Sequence, residues 1–313
     1  MGIIYDKNAA GTASAQSHLI GHRDEITAAA QSPSNLNIIA TGSSQLTRKH
    51  DYPMTIVWDT QREQELGRFQ SSNLKRQVDA LAFDTSGQYV FAAGAGDKHY
   101  IVCYSLTDGG EIAAVSSGAS RVLAMDYDAS TRSLMVGGVK SLQSIPFSNG
   151  QFGKPTRLSS ETTISVKSSG STTYCGAANG TISAYTKGQK SSSSKAHKGG
   201  IYSIAVNGRS VATGGKDGTV TMWTSDGRGS LSKVRTVTLD VPAAAKGLSF
   251  DTQNNLIVGS KAGRVVSLAS SGSWHEDVLV SSHFDGETWG LAMHPFDNQC
   301  VTTGDDNSKN IQT

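Results

Sequence analysis

At 313 residues, with 37% hydrophobic and 17% charged residues, the chain has enough apolar material for one large core or two average ones, which argues against intrinsic disorder. A formal net charge of +2 gives no global field that would draw it to nucleic acid or a membrane surface, so neither is expected as a partner. No window approaches the roughly 18 apolar residues of a membrane span. The start, Met1 to Asp6, lacks a signal peptide's basic and apolar regions, and Asp6 stands where a myristoylation motif prefers Ser or Thr. A cytoplasmic or cytoskeletal protein is expected.

Gly2 to Asp6 reads as an isolated strand ahead of a long series of repeats. The first repeat carries Ile26-Thr27-Ala28-Ala29-Ala30 and then Ile38-Ile39-Ala40-Thr41-Gly42. The same phrase, an apolar run closed by small residues and a glycine, returns around Gly94, Gly137, Gly176, Gly214, Gly259 and Gly304. A spacing of about forty residues is that of a four-stranded propeller blade. Each phrase follows another small-residue strand, from Val78-Asp79-Ala80 in the second unit to Trp289-Gly290-Leu291-Ala292 in the last. Asn179-Gly180 and Asp217-Gly218 supply the positive φ of tight hairpins. No long amphipathic helix pattern appears, so the expected fold class is all-β. It is expected to be a seven-bladed propeller, with blades at about 18–70, 71–115, 116–158, 159–192, 193–239, 240–280 and 281–313. The N-terminal strand 2–6 is expected as the outermost strand of the last blade, paired beyond a strand ending at Thr313.

Three cysteines, Cys103, Cys175 and Cys300, lie far apart with no C-x-x-C pair. They read as buried thiols rather than metal ligands or a disulfide framework. His22, His197 and His283 recur ahead of inner strands, where a structural hydrogen bond outweighs a catalytic or metal role. Gly94-Ala95-Gly96-Asp97-Lys98 lacks the spacing of a phosphate loop. No cofactor or metal and no catalytic cluster is expected, so the chain reads as no enzyme.

His197, Thr213, Asp217 and Trp223 in the fifth unit carry the full WD-repeat signature. The first unit carries it with Gly21-His22 and Trp58-Asp59, and the seventh opens with His283 but lacks the tryptophan. The WD resemblance implies a buried chain from Trp indole through Thr hydroxyl and His imidazole to Asp carboxylate. Other units replace the tryptophan, with Tyr104, Phe147, Tyr185 and Leu268 near its place. Gly286-Glu287-Thr288-Trp289-Gly290-Leu291-Ala292-Met293-His294-Pro295 resembles the echinoderm microtubule-associated protein-like family, as do blade one with its long hairpin and the Gly2–Asp6 strand. That resemblance implies a microtubule-linked scaffold that binds tubulin, with Trp289 in the matching phrase; because tubulin is strongly acidic and this chain nearly neutral, the contact is expected to come from exposed basic groups. The candidates are Arg48, Lys49 and His50 on the blade-one insertion, and Lys187, Lys190, Lys195 and Lys198 between the fourth and fifth units. Family members usually add a coiled coil and a second propeller, so this chain is expected to be one propeller of a longer protein or a short relative, monomeric by itself. A general WD adaptor for a trafficking, ubiquitin-ligase or ciliary assembly is the alternative.

Overall fold

The computed structural model describes residues 2–7, 13–19, 21–22, 24–45, 52–96, 98–269, 274, 276–281, 288–293 and 299–304. The stretches 2–7, 13–19, 280–281, 288–293 and 299–304 are described as backbone strands only.

The chain begins with β1 (Gly2–Lys7) and β2 (Ala13–Leu19). Blade one is β3 (Ile26–Gln31), β4 (Ile38–Ser43), β5 (Met54–Asp59) and β6 (Gln64–Gln70). Blade two is β7 (Val78–Phe83), β8 (Tyr89–Gly94), β9 (Tyr100–Ser105) and β10 (Gly110–Ser116). Blade three has β11 (Val122–Asp128), β12 (Ser133–Gly138) and β13 (Ser141–Ser148), with its outer place shared by β14 (Gln151–Phe152) and β15 (Thr156–Ser159). Blade four is β16 (Thr163–Ser169), β17 (Thr172–Ala177), β18 (Thr181–Thr186) and β19 (Gln189–Lys195). Blade five is β20 (Ile201–Asn207), β21 (Ser210–Gly215), β22 (Thr219–Ser225) and β23 (Leu231–Thr238). Blade six is β24 (Ala245–Phe250), β25 (Leu256–Ser260), β26 (Arg264–Leu268) and β27 (Glu276–Ser281). Last come β28 (Thr288–Met293) and β29 (Gln299–Gly304).

The architecture is all-β: six blades, each an antiparallel meander from one contiguous stretch of chain. The expectation of a seventh blade drawn from 281–313 with one N-terminal strand outside it is corrected. That stretch contributes only β28 and β29, and the sheet they start is shared between the chain ends in the order β28-β29-β1-β2. Gly2 pairs directly with Thr303 and Ile4 with Val301, so β1 takes the third place and β2 the edge. The β1–β2 hairpin therefore fills both outer positions of that sheet, and the expected partner strand ending at Thr313 lies outside the described residues. Inner strands touch in chain order, and β28 touches both β24 and β3 to close the ring.

Burial explains the sequence pattern. The second and third strands of a blade are covered on both faces by neighbouring blades, so β4, β5, β8 and β9 are buried almost throughout. They read as continuous apolar runs rather than alternating ones. Outer strands such as β6 and β23 are mostly exposed and polar. The core accordingly lies between blades: Val57 and Phe69 of blade one pack with Leu81, Val90 and Tyr104 of blade two. Phe91 and Ile101 of blade two pack with Val136 and Ile145 of blade three.

The recurring glycine has a physical cause in the same contact. A Cβ on Gly42 would lie 2.6 Å from the Val78 side chain, and one on Gly176 2.7 Å from Ile201 Cβ. In each case the first residue of the next blade's inner strand stands in the way, joined at Gly176 by Ser165 Oγ of the same blade. The rhythm slips by one in two places: Gly94 pairs with Val78 and Gly304 with Thr288, where blade one has Ser43 opposite Ile26. Ala93 and Thr303 thus hold the position of Gly42. Register also corrects the place of Phe147, since the residue opposite Leu134, at the tryptophan position, is Ile145.

Candidate functional site

Two arrangements stand out, one that ties the blades together and one that faces the central channel. In blade five the indole Nε1 of Trp223 donates to Thr213 Oγ1 at 3.1 Å, and Thr213 Oγ1 lies 2.9 Å from His197 Nε2. His197 Nδ1 meets Asp217 Oδ1 at 3.2 Å and Thr219 Oγ1 at 2.8 Å. The carboxylate's other oxygen accepts the Lys198 backbone N–H at 2.8 Å. With the ring proton on Nδ1 each polar group has a partner: Thr213 accepts from Trp223 and donates to His197, which donates to Asp217. Blade one repeats the motif, with Trp58 Nε1 to Thr41 Oγ1 and Thr41 Oγ1 to His22 Nε2 both at 2.7 Å. There His22 Nδ1 has no hydrogen-bond partner among the described residues.

Both imidazoles sit below their ordinary pKa. His22 is held at about 3 by burial first, then by nearby positive charge that includes Arg68. His197 is lowered by burial, which outweighs the opposing pull of Asp217. Burial alone would push Asp217 up, but the Lys198 N–H, the Thr219 hydroxyl and His197 hold it below the usual carboxylate value. Folding therefore excludes protons that the unfolded histidines bind. The network's contribution is whole above about pH 6.5 and is lost as pH falls below it. Urea unfolding midpoints should fall between about pH 7.5 and pH 5, and the fall should flatten in a His22→Gln, His197→Gln variant. An unchanged slope in that variant would place the proton uptake elsewhere.

The second arrangement is a ring. Every inner strand pairs with its neighbour through a register shift that skips its second residue. A bulge of this kind re-aims one side chain. The skipped residues Thr27, Asp79, Leu123, Ile164, Tyr202 and Lys246 all line a cavity of about 480 Å³ at the end of the channel where inner strands begin. Trp289 holds the same register position in β28. Lys246 Nζ lies 4.4 Å from the Tyr202 ring centroid. Asp79 Oδ1 accepts from Gln77 Nε2 at 2.6 Å and from Arg121 at 2.9 Å, while Oδ2 is buried with no partner among the described residues.

The remaining sequence candidates fall in different places. Arg48, Lys49 and His50 lie outside the described residues. Lys187, Lys190, Lys195 and Lys198 are all exposed, at the hairpin, strand and exit of β19 rather than at the channel. Lys195 donates to the Asn179 carbonyl. Cys103 and Cys175 are buried free thiols whose pKa burial pushes up. The channel ring was not visible as a site in the sequence, because its members share a position and no residue type.

Sheets closed into a ring define a β-propeller, and blades one and five carry the His–Thr–Trp network that WD repeats share. Residues 188–224, within blades four and five, match the WD domain, G-beta repeat family. The chain is 26% identical over 298 residues to the ciliary WD repeat-containing protein ctxp80 of Euplotoides octocarinatus, a match over 91% of this chain and 39% of that protein. The chain thus spans about two-fifths of that relative. The Myceliophteria thermophila Cps50 (Swd1) β-propeller domain has the same fold, with a TM-score of 0.71 at 11% identity, covering 90% of this chain and 97% of that one. Chaetomium thermophilum Sqt1, solved bound to the N-terminus of ribosomal protein L10, superposes with a TM-score of 0.66 at 18% identity, covering 87% of this chain and 79% of that one.

Proposed function

We propose that this propeller is a non-catalytic protein-interaction scaffold of the microtubule cytoskeleton, recognising tubulin or a microtubule-associated complex in the cytoplasm, axoneme or spindle. The observation that carries the scaffold reading is the channel ring. One backbone position repeats around the channel, yet it holds Thr27, Asp79, Leu123, Ile164, Tyr202 and Lys246. The seam position opposite the third residue of each inner strand, by contrast, keeps a small side chain, glycine in five units and Ala93 and Thr303 in the other two. A position that repeats its geometry while varying its chemistry is suited to reading a partner's surface. The microtubule part is supported by the ciliary relative and by the likeness of Glu287 to Ala292 to the echinoderm microtubule-associated protein-like family.

Co-sedimentation with microtubules and pulldown of soluble tubulin test the reading. Binding is expected at micromolar protein, and Trp289→Ala and Arg48→Glu with Lys49→Glu should each weaken it. Failure of the parent chain to retain tubulin at high micromolar concentration removes the microtubule reading. A general adaptor then remains, of the kind that holds another protein's terminus, as Sqt1 holds that of L10.

A further inference from the structure

The channel has a second end, where the inner strands finish, and one register position marks it. Three residues after the skipped position, five of the inner strands carry a small residue: Ala30, Ala82, Ala205, Ser249 and Ala292. In blades three and four the same position holds Asp126 and Lys167. A place that is otherwise alanine or serine thus carries, in two adjacent blades, an acid and a base. This end of the channel opens into cavities of about 700 Å³ and about 360 Å³. Ile204, Val206 and Leu248 line the larger, Leu81, Phe83 and Val166 the smaller, and Lys167 lines both. Among the described residues Lys167 is the one cation of either wall.

The two acids of these walls are already engaged. Asp251 accepts the Gln253 and Asn255 N–H groups of its own turn at 2.9 and 2.7 Å, and Asp126 Oδ2 accepts the Ser168 N–H at 2.7 Å. Lys167 Nζ stands 3.6 Å from that same Oδ2, an ion pair longer than a hydrogen bond, and its side chain is 48% exposed. Its ammonium donors therefore make no hydrogen bond among the described residues and are left to the space of the cavities.

We propose that this end of the channel holds the C-terminal carboxylate of a partner protein, with Lys167 as counter-ion and the apolar walls around the partner's last side chains. The proposal rests on the scaffold reading above and gives it a second site, at the end of the channel opposite Asp79, Tyr202 and Lys246. One cation beside two carboxylates balances a single negative charge. A phosphate group, with about two negative charges, would be repelled by Asp126 and Asp251. The alanines and the serine around Lys167 leave room for main chain, and a chain end brings one strand of it where an internal acidic residue would bring two. Apolar walls with a single charged anchor are the common form of a site that fixes one end of its ligand.

The test is fluorescence anisotropy, with the whole chain, of an N-terminally labelled alanine–leucine hexapeptide ending in a free carboxylate. The same peptide ending in an amide is the comparison. The acid should bind at high micromolar protein, and the amide should bind roughly tenfold more weakly or less, the scale of a hydrogen bond between charged groups. Lys167→Met keeps the stem and removes the charge, so it should lower the acid to the level of the amide, while Lys167→Arg should retain binding. Lys154→Met, at an exposed lysine between β14 and β15, should change affinity by less than about twofold. Urea unfolding of each variant separates lost binding from lost folding. Equal binding of acid and amide, binding of neither, or full binding by Lys167→Met overturns the proposal. Hexanoate that competes as well as the peptide also overturns it, because the walls would then hold a small acid and not a chain end. Tubulin pulldown in parallel keeps the two readings apart: peptide binding without tubulin binding keeps this site and removes the microtubule partner, and the reverse removes this site alone.

Discussion

Trp223→Ala should cost about 3–5 kcal/mol of unfolding free energy, the scale for truncating a large buried aromatic. Its side chain is 3% exposed and packs with Tyr174, Ile182 and Ala184 of blade four as well as Ile201, Ile204 and Val211 of blade five. Truncation thus opens a cavity at a blade-to-blade seam and also removes the N–H that Thr213 accepts. Trp223→Phe, which keeps most of the packing and loses only the donor, should cost about 1–2 kcal/mol. His197→Ala should cost roughly 1–3 kcal/mol by stranding Asp217 and Thr213. Since a domain's whole stability is about 5–15 kcal/mol, the Ala variant should shift a urea midpoint visibly. Equal losses for Trp223→Ala and Trp223→Phe would mean that the hydrogen bond, and not the packing, dominates.

Much of this was legible in the sequence because the forces that close a propeller act at repeated positions. Two buried strands per blade, a small residue where the next blade crowds in, and Asp-Gly or Asn-Gly hairpins all leave marks with one period. Gly180, at φ +83°, shows how strict one such mark is: a Cβ there would collide with the carbonyls of His197 and Gly199. What was not legible depended on register or on distance along the chain. Gly94 and Gly304 look like members of the glycine series, and only strand pairing reveals that they stand one residue late. The sequence of β2, Ala-Ser-Ala-Gln-Ser-His-Leu, alternates only weakly, with Ala13, Ala15 and Leu19 at alternate positions and no β-branched or aromatic residue, and its strand is completed by the open edge of β1. The channel ring shares a bulge and not a residue type, so no repeat signal marks it.

Gly214→Val should be among the most damaging single substitutions in the ring, because the seam it enters has no slack. A Cβ at Gly214 would stand 2.8 Å from Ala245 Cβ, 2.9 Å from the Ala245 carbonyl oxygen and 2.5 Å from Ser203 Oγ. Two of those obstacles are the first residue of blade six's inner strand, its backbone included, so relief requires moving a whole blade. The third is the hydroxyl that donates to the same carbonyl at 3.0 Å. That inter-blade bond has counterparts in Ser165 Oγ to the Ile201 carbonyl at 2.7 Å and Thr27 Oγ1 to the Val78 carbonyl at 2.6 Å. Gly214→Ala should cost about 1–3 kcal/mol, as overpacking does, and the two further methyl groups of valine should take the loss to about 3 kcal/mol or more. Gly110→Ala is the matched control, since a Cβ there meets nothing within 4 Å and its φ is not in the left-handed region. It should change stability by no more than about 0.5 kcal/mol. Thermal and urea unfolding of the three variants measure the series directly. If Gly214→Val unfolds with the control, blades five and six do not meet at this glycine, and the cause assigned to the repeating glycine is wrong.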